Sequence, residues 1–284
     1  MKVKIQSYRD LIFLGEIMLS ETTIDNYIET IPPVPKVVKL CIDSLNDGDL
    51  VHAADIASED RAFIHYLQNI VNKPIFGFRD EVKEARQIFG ILGLSKAKQL
   101  IYGYYLLLIL PKKWEVFDFN TSLFQDFQAR LIHHWGKIVK FLGKDDNSLN
   151  QAISIIPATF VISEMLFRDI NSTVKLLRDK KQMSYETIFY KMTDRTFFEI
   201  SAMIAKKWDF SDDIVEMINK IGDLKEGDFG ENALLISYLR LLLVYEMSRP
   251  AIIKAGLSDL FHLEPVFDDD ILNNFYKIIQ EEEN

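Results

Sequence analysis

The chain has 284 residues, of which 48% are hydrophobic and 26% charged, a composition typical of a globular protein with a large core rather than a disordered one. Lys and Arg number 33 against 42 Asp and Glu, so the net charge of −9 provides no global positive field that would attract nucleic acid or anionic lipid. The single cysteine, Cys41, excludes an intramolecular disulfide framework and a cysteine-rich zinc site. Because the net charge is negative, we expect no nucleic-acid partner.

The first residues and the most apolar run both argue against secretion and against a membrane span. The segment from Met1 to Gln6 lacks the apolar core and the cleavage site of a signal peptide. The run from Tyr104 to Leu110 ends at Pro111 and is far shorter than the roughly 20 residues that a spanning helix needs. We expect a cytoplasmic protein in which residues 1–22 form an N-terminal arm, with any strand confined to the part before Ser20.

Apolar residues recur at helical spacing along almost the whole chain, and no run shows the alternation of a strand. The run from Ile31 to Pro35 contains three prolines and predicts an extended entry into a helix that begins near Lys36. Cys41 falls on the apolar face of this helix, which predicts a buried structural thiol. Ser95, which follows Gly93, is predicted to cap the helix that continues toward Tyr104. The pattern therefore predicts a compact all-α fold of many helices.

Two groups of polar residues predict helix starts in the C-terminal half. Ser211 is followed by Asp212 and Asp213, and a capping hydroxyl with two carboxylates is favoured at a helix N-terminus. The acidic run from Asp268 to Asp270 lacks the alternating spacing and central glycine of a calcium loop. It is expected to open the last helix.

The segment from Lys73 to Arg79 is predicted to be a loop and is the best interaction candidate. It contains two aromatic residues limited by proline and glycine and flanked by cations, and the partner-binding residues that we predict are Lys73, Phe76, Phe78 and Arg79. The alternative is that both phenylalanines pack under the neighbouring helices. Further basic residues, which are Lys83, Arg86, Lys96 and Lys98, are predicted to form a solvated helix face rather than a nucleotide site.

No residue pattern predicts catalysis, a cofactor or a metal. His133 and His134 are adjacent on a helix, so their side chains point about 100° apart and cannot readily share one ion. His52 and His65 have no His or Glu at helical spacing that would complete a site, and His262 is the fifth histidine. The chain lacks a Gly-x-Ser-x-Gly elbow and a glycine-rich phosphate loop followed by Lys and Ser or Thr.

The segment from Ile24 to Ile221 resembles the HDOD domain, a bacterial signalling module related to the HD metal-dependent phosphohydrolases. Its first half carries the run Ile-Pro-Pro-Val-Pro that ends at Pro35, and Asn72 matches the first position of the family's Asn-Ser pair, where Lys73 replaces the serine. The Leu-Gly-Leu turn around Gly93 is similar to the turn before the family's long central helix. Near Trp208 the chain is similar to the family's Leu-Ala-x-x-Trp pattern.

The resemblance also implies that the chemistry of the HD enzymes is absent. The family's helix leading into Gly-Leu-Leu-His-Asp resembles the stretch from Asn150 to Ile156, so the two metal-binding positions fall on Ala158 and Thr159. Alanine cannot coordinate an ion, and a threonine hydroxyl is a poor ligand without carboxylate or imidazole partners. We expect no bound metal here and no enzymatic activity.

The resemblance implies an HDOD-like helical domain over residues 23–221, with a first lobe at about 23–111 and an HD-related lobe at about 118–221. Residues 222–284 are expected to add C-terminal helices to the same body. The implied function is that of a non-catalytic bacterial signal-transduction or regulatory protein that binds unidentified signalling proteins, in a family often tied to chemotaxis, motility or cyclic-dinucleotide circuits. The alternatives are a divergent HD-type metal-dependent phosphohydrolase and a small-ligand sensor, for instance of nucleotides, with a pocket between the lobes.

Overall fold

A computed structural model describes residues 21–224, 232–263 and 269–280. Within these ranges the protein is built of α-helices and one short 3-10 helix, and they contain no strand. The predicted all-α class is thereby confirmed, whereas the strand expected before Ser20 would lie outside the described residues. The helices are α1 (Glu21–Thr30), α2 (Lys36–Asn46), α3 (Leu50–Ser58), α4 (Arg61–Val71), α5 (Ala85–Leu107), α6 (Thr121–Leu142), α7 (Asn147–Ile155), α8 (Ala158–Arg168), α9 (Asn171–Lys181), α10 (Tyr185–Thr193), α11 (Phe197–Lys207), α12 (Asp212–Asp223), α13 (Ala233–Met247), α14 (Pro250–Ala255) and α15 (Asp269–Gln280).

Side-chain caps set the starts of many of these helices. At the head of α11 the Thr196 hydroxyl accepts from the Glu199 N–H at 3.1 Å while the Glu199 carboxylate accepts from the Thr196 N–H at 2.6 Å, which is a capping box. Acceptor side chains also cap α3, α4, α6, α7 and α10, and these are Asp49, Asp60, Asn120, Asp146 and Ser184.

The predicted starts at Ser95, Ser211 and the acidic run have different outcomes. Gly93 interrupts α5 with φ +71° and ψ 177°, so the predicted helix break is present, but the Ser95 hydroxyl accepts from Asn150 at 3.2 Å rather than from a backbone N–H. Ser211 occupies the position before α12, yet its hydroxyl makes no capping hydrogen bond, and Asp212 and Asp213 supply the favourable charge. The last helix starts at Asp269, as predicted.

A continuous apolar core runs through the described part of the chain, from Ile24 in α1 to Ile279 in α15. Helix α6 lies at its centre and packs against α13 and α15, so the helices after residue 221 are joined to the same core. Cys41 is fully buried in this core, and burial raises the pKa of its thiol to about 12. The structural thiol is therefore confirmed, while the domain and lobe boundaries stay predictions.

Only one helical segment in the described residues, Asn147–Arg168, is apolar and long enough to cross a membrane by composition. It contains α7 and α8, and 94% of its most apolar window is buried inside the protein. This burial is typical of core helices in soluble proteins.

Candidate functional site

The predicted partner-binding loop lies between α4 and α5. A 3-10 helix, Pro74–Phe76, forms its first half, and Gly77 closes it in the left-handed conformation with φ +70°. Asn72 ties the two ends of the loop together, because its amide donates to the Val82 carbonyl at 2.9 Å and accepts from the Val82 N–H at 2.7 Å. The loop therefore has a defined conformation.

The two aromatic residues of this loop have different environments. Phe76 is half-buried against the core and meets the His133 ring edge-on at a centroid distance of 5.5 Å. Phe78 stacks on Phe76 at 6.4 Å with nearly parallel rings and is 39% exposed. The structure thus joins the two sequence-based interpretations: Phe76 packs on the fold, and Phe78 is held at the surface. Lys73 and Arg79 flank the pair and form no ion pair within the described ranges.

A cavity of about 560 Å³ lies beside the same loop, lined by Phe76, His134 and Tyr245 and by three cations, which are Arg130, Lys137 and Arg249. Nδ1 of the buried His134 lies 2.7 Å from Oε1 of Glu246, a residue with no exposed surface. This contact fixes the orientation of the imidazole ring. Oε2 of Glu246 is 3.8 Å from the Arg249 guanidinium.

Sequence reasoning did not find this buried His–Glu pair. His134 has no His or Glu at helical spacing that would reveal a partner, and His52, His65 and His262 are exposed. The available signal was Glu246 itself, because a carboxylate within the apolar run that forms α13 needs a buried partner. His134 and Glu246 are two potential metal ligands, which is too few for a site. Among the described residues there is no group of three or more His, Cys, Asp or Glu that could hold an ion.

The two positions where the family resemblance would place metal ligands lie in the buried core. Ala158 and Thr159 begin α8 and are fully buried. Next to them, the ring of Phe160 packs against Phe119 at 5.6 Å and Phe127 at 4.8 Å. The two positions therefore lie in the core, and the polar side-chain atom that they carry is the Thr159 hydroxyl.

The carboxylate on the same helix has a structural role. Glu164 is fully buried, and its two oxygens accept hydrogen bonds from the backbone N–H groups of Glu115, Val116 and Phe117 at 2.6 to 3.2 Å. These bonds fix the connection between α5 and α6 onto α8. Because both oxygens are used in this way, Glu164 is not available for metal or substrate.

The basic residues predicted to form a solvated face are partly paired with acids. Arg86 makes a bidentate ion pair with Asp55 at 2.7 and 2.8 Å, and Lys83 lies 3.1 Å from Glu81. Burial lowers the pKa of Lys98, which is partly desolvated. The acidic partners neutralise the positive charge that would bind a phosphate group. The geometry therefore favours the predicted solvated helix face over a nucleotide site.

A second cavity, of about 480 Å³, lies between helices that the sequence assigns to the two predicted lobes. Its aromatic walls come from Tyr102 and Tyr105 of α5 and from Trp208 and Phe210 after α11. Gln151 of α7 lies among them and is 5% exposed. We call this the Trp208 cavity. Sequence reasoning raised a pocket between the lobes as an alternative but named none of these residues for it.

No protein-family model and no curated protein matches the chain. Solved structures do match it. An HDOD domain protein of unknown function from Geobacter sulfurreducens superposes with a TM-score of 0.65 at 16% identity, over 92% of this chain and 87% of that one. The chain has the HDOD fold. A candidate phosphohydrolase from Shewanella amazonensis SB2B matches with a TM-score of 0.62 at 14% identity, over 91% of this chain and 94% of that one.

A third structure, a candidate metal-dependent phosphohydrolase from the same organism, superposes on this chain with a TM-score of 0.53 at 13% identity. The match covers 94% of this chain and 96% of that one. At these identities the similarity shows the fold alone. The fold match confirms the predicted resemblance to the HDOD domain. Two sequence features that carried this resemblance, the proline run and Trp208, are in contact, because the Trp208 Nε1–H donates to the Pro32 carbonyl at 3.1 Å.

Proposed function

We propose that the protein is a non-catalytic regulatory protein of bacterial signal transduction and that it acts by binding another protein. The observation that carries the proposal is the exposed ring of Phe78, which the stacked ring of Phe76 holds at the surface. Large aromatic side chains supply much of the energy of protein interfaces when they enter a pocket on the partner. Lys73 and Arg79, which flank the two rings, complete the proposed contact surface.

The conformation of this loop supports the proposal energetically. Asn72 closes its base with two hydrogen bonds to Val82, and Gly77 supplies the left-handed residue that ends the 3-10 helix. A loop already held in one conformation loses less entropy on binding than a flexible one. The unpaired charges of Lys73 and Arg79 suit a partner whose apolar pocket has carboxylates at its rim.

The surroundings of Ala158 and Thr159 support the absence of catalysis. An HD-type ion requires several imidazole or carboxylate ligands at one point. Here the two positions are a fully buried alanine and a fully buried threonine, and the carboxylate of Glu164 on the same helix is engaged by the backbone. The fold is that of HD relatives, and the chemistry that we propose is binding.

The test uses Phe78→Ala with Phe141→Ala as the matched control. Phe141 is the same residue type, 54% exposed and located at the end of α6, away from the loop. Both variants should melt like the wild type, since an exposed ring contributes little to folding. We expect that Phe78→Ala fails to retain a partner recovered from the native organism and that Phe141→Ala retains it. Retention by both variants would contradict the proposed surface.

Phe76→Ala separates anchoring from contact. Because Phe76 is half-buried, its removal should lower the melting temperature, and the loss of unfolding free energy should be smaller than the roughly 3–5 kcal/mol that is typical of a fully buried phenylalanine. A melt equal to that of the wild type would show that Phe76 does not hold the loop.

Metal analysis and a phosphodiesterase assay of the purified protein address the enzymatic alternative: activity that rises with added Mn²⁺ and is lost with a chelator would overturn the non-catalytic assignment.

A further inference from the structure

The Trp208 cavity has the composition of a binding site for a flat ring. Tyr102 lies 4.4 Å from Phe210 between ring centroids, and Tyr105 lies 5.6 Å from Trp208 and 5.7 Å from Phe210. All four rings are at most 8% exposed, so most of each is fixed in the fold and its free surface faces the cavity. The volume of about 480 Å³ falls within the range of small-molecule sites.

The cavity is also lined by three polar groups that make no hydrogen bond with any described residue. Gln151 is 95% buried, yet its amide makes no hydrogen bond with any described residue, and its atoms are not sealed from solvent. The hydroxyls of Tyr102 and Tyr105 are in the same situation. Because these three groups keep accessible surface toward the cavity, their donors and acceptors are free to pair with a ligand there. Burial raises the pKa of Tyr102 to about 12, with Asp43 adding to the effect, so this hydroxyl keeps its proton and remains a donor.

The charges around the opening select the kind of ring. Three carboxylates line the cavity, on Asp43, Asp209 and Asp213, together with the ammonium groups of Lys39 and Lys207. Lys39 pairs with Asp209 at 3.7 Å, and Lys207 pairs with Glu29 outside the cavity at 2.5 Å. Asp43 and Asp213 form no ion pair within the part of the chain that the structure describes. The unpaired charge is therefore negative, which favours donors and cations and disfavours phosphate.

We propose that the Trp208 cavity binds a planar heteroaromatic amine without a phosphate group, a ligand class that includes free nucleobases and nucleosides. The ring lies among Tyr102, Tyr105, Trp208 and Phe210, where aromatic faces stack on it. The Gln151 amide, one donor and one acceptor group, pairs with the ring edge, and the amino group points toward Asp43 and Asp213. This site shares no residue with the loop at Phe78, so the proposal stands independently of the proposed protein contact.

The experiment titrates the full-length protein with adenosine, cytidine and guanosine, and with AMP as the comparator that adds a phosphate. Binding is measured by calorimetry and by the indole N–H signals of the ¹⁵N-labelled protein. The Trp208 signal is assigned by its loss in Trp208→Phe. We expect that at least one nucleoside binds, that it shifts the Trp208 signal and that its monophosphate binds more weakly.

Two pairs of variants separate the cavity from general effects on the fold. Gln151→Leu should weaken binding at least tenfold, since it removes both hydrogen-bonding groups at similar size, and Gln99→Leu is its control because Gln99 is equally buried but does not line the cavity. Asp213→Asn should weaken binding severalfold, whereas Asp212→Asn, one residue earlier in the first turn of α12, should leave it unchanged.

The outcomes are decisive in both directions. Binding by none of the three nucleosides would overturn the proposal, as would tighter binding of AMP than of adenosine or equal losses in Gln151→Leu and Gln99→Leu. A nucleoside that binds without shifting the Trp208 signal would place the site elsewhere and would equally overturn it. Failure of these tests would leave the partner contact at Phe78 untouched, because the two rest on different residues.

Discussion

Replacing Glu164 by alanine should destabilise the protein severely, although the residue lies far from any surface contact. Its carboxylate has no exposed surface and accepts from three consecutive N–H groups, on Glu115, Val116 and Phe117. Glu115 is exposed, whereas Val116 is half-buried and Phe117 is buried, so we count only the unpaired donors of the last two residues. An unsatisfied buried donor costs about 1–3 kcal/mol, which gives about 2–6 kcal/mol for the variant.

Glu164→Gln tests whether charge and acceptor geometry both matter. Glutamine fills the same space but presents an NH₂ group where one carboxylate oxygen accepts, so two donors face each other. We expect a loss of stability comparable to that of Glu164→Ala. Urea unfolding followed by circular dichroism at pH 7 measures it, with an unchanged slope as the sign of two-state behaviour. Glu216→Ala is the control, because its exposed pair with Lys220 is worth less than about 1 kcal/mol.

If Glu164→Ala unfolds at the same urea concentration as Glu216→Ala, the carboxylate does not hold the connection between α5 and α6, and the reasoning is refuted. In that case the Glu164 carboxylate would be available as a ligand or a catalytic group on α8, and the enzymatic alternative would have to be considered again. A large loss with an intact HDOD fold at low urea would agree with the structural role.

Three further predictions follow from local geometry and burial. Gly93→Ala should cost about 1–3 kcal/mol because φ is +71°, whereas Gly90→Ala in the same helix, with open space around it, should stabilise by about 0.5–1 kcal/mol; paired thermal melts measure both. The thiol of Cys41 has a pKa near 12 in the fold and about 9 when unfolded, so stability should fall as the pH rises from 9 to 12, less steeply in Cys41→Ala, as melts across that range would show. Glu246→Ala should cost about 3–5 kcal/mol in urea unfolding by leaving His134 buried without its partner.

Local features of the fold were predictable from sequence because they depend on neighbours along the chain. The break at Gly93, the buried Cys41 and the start of α15 at Asp269 follow from backbone freedom, apolar spacing and helix charge. The same logic failed at Ser95, whose hydroxyl lies beside the helix of Asn150 and bonds to it instead of to its own backbone. A tertiary partner displaced the local one there.

The candidate sites could not be predicted in the same way, because their members are far apart in sequence. Glu246 lies 112 positions from His134, and the Trp208 cavity joins residues of α2, α5, α7 and α12. Sequence identified Phe76 and Phe78 as candidates, since they share one loop, but only packing distinguishes the anchored ring from the exposed one. Nothing in the spacing of Gln151 indicates that its amide faces a cavity.

The proline run and Trp208 are one structural device rather than two separate features of the sequence. Pro33 restricts Pro32 to an extended conformation, so the Pro32 carbonyl cannot enter a helix and points outward as a free acceptor. The indole N–H of Trp208 takes this acceptor at 3.1 Å across 176 positions, which fixes the entry of α2 against the end of α11. Pro33 and Trp208 both line the cavity proposed to bind a heteroaromatic amine. A ligand that moves the indole would therefore act directly on the contact between these two helices.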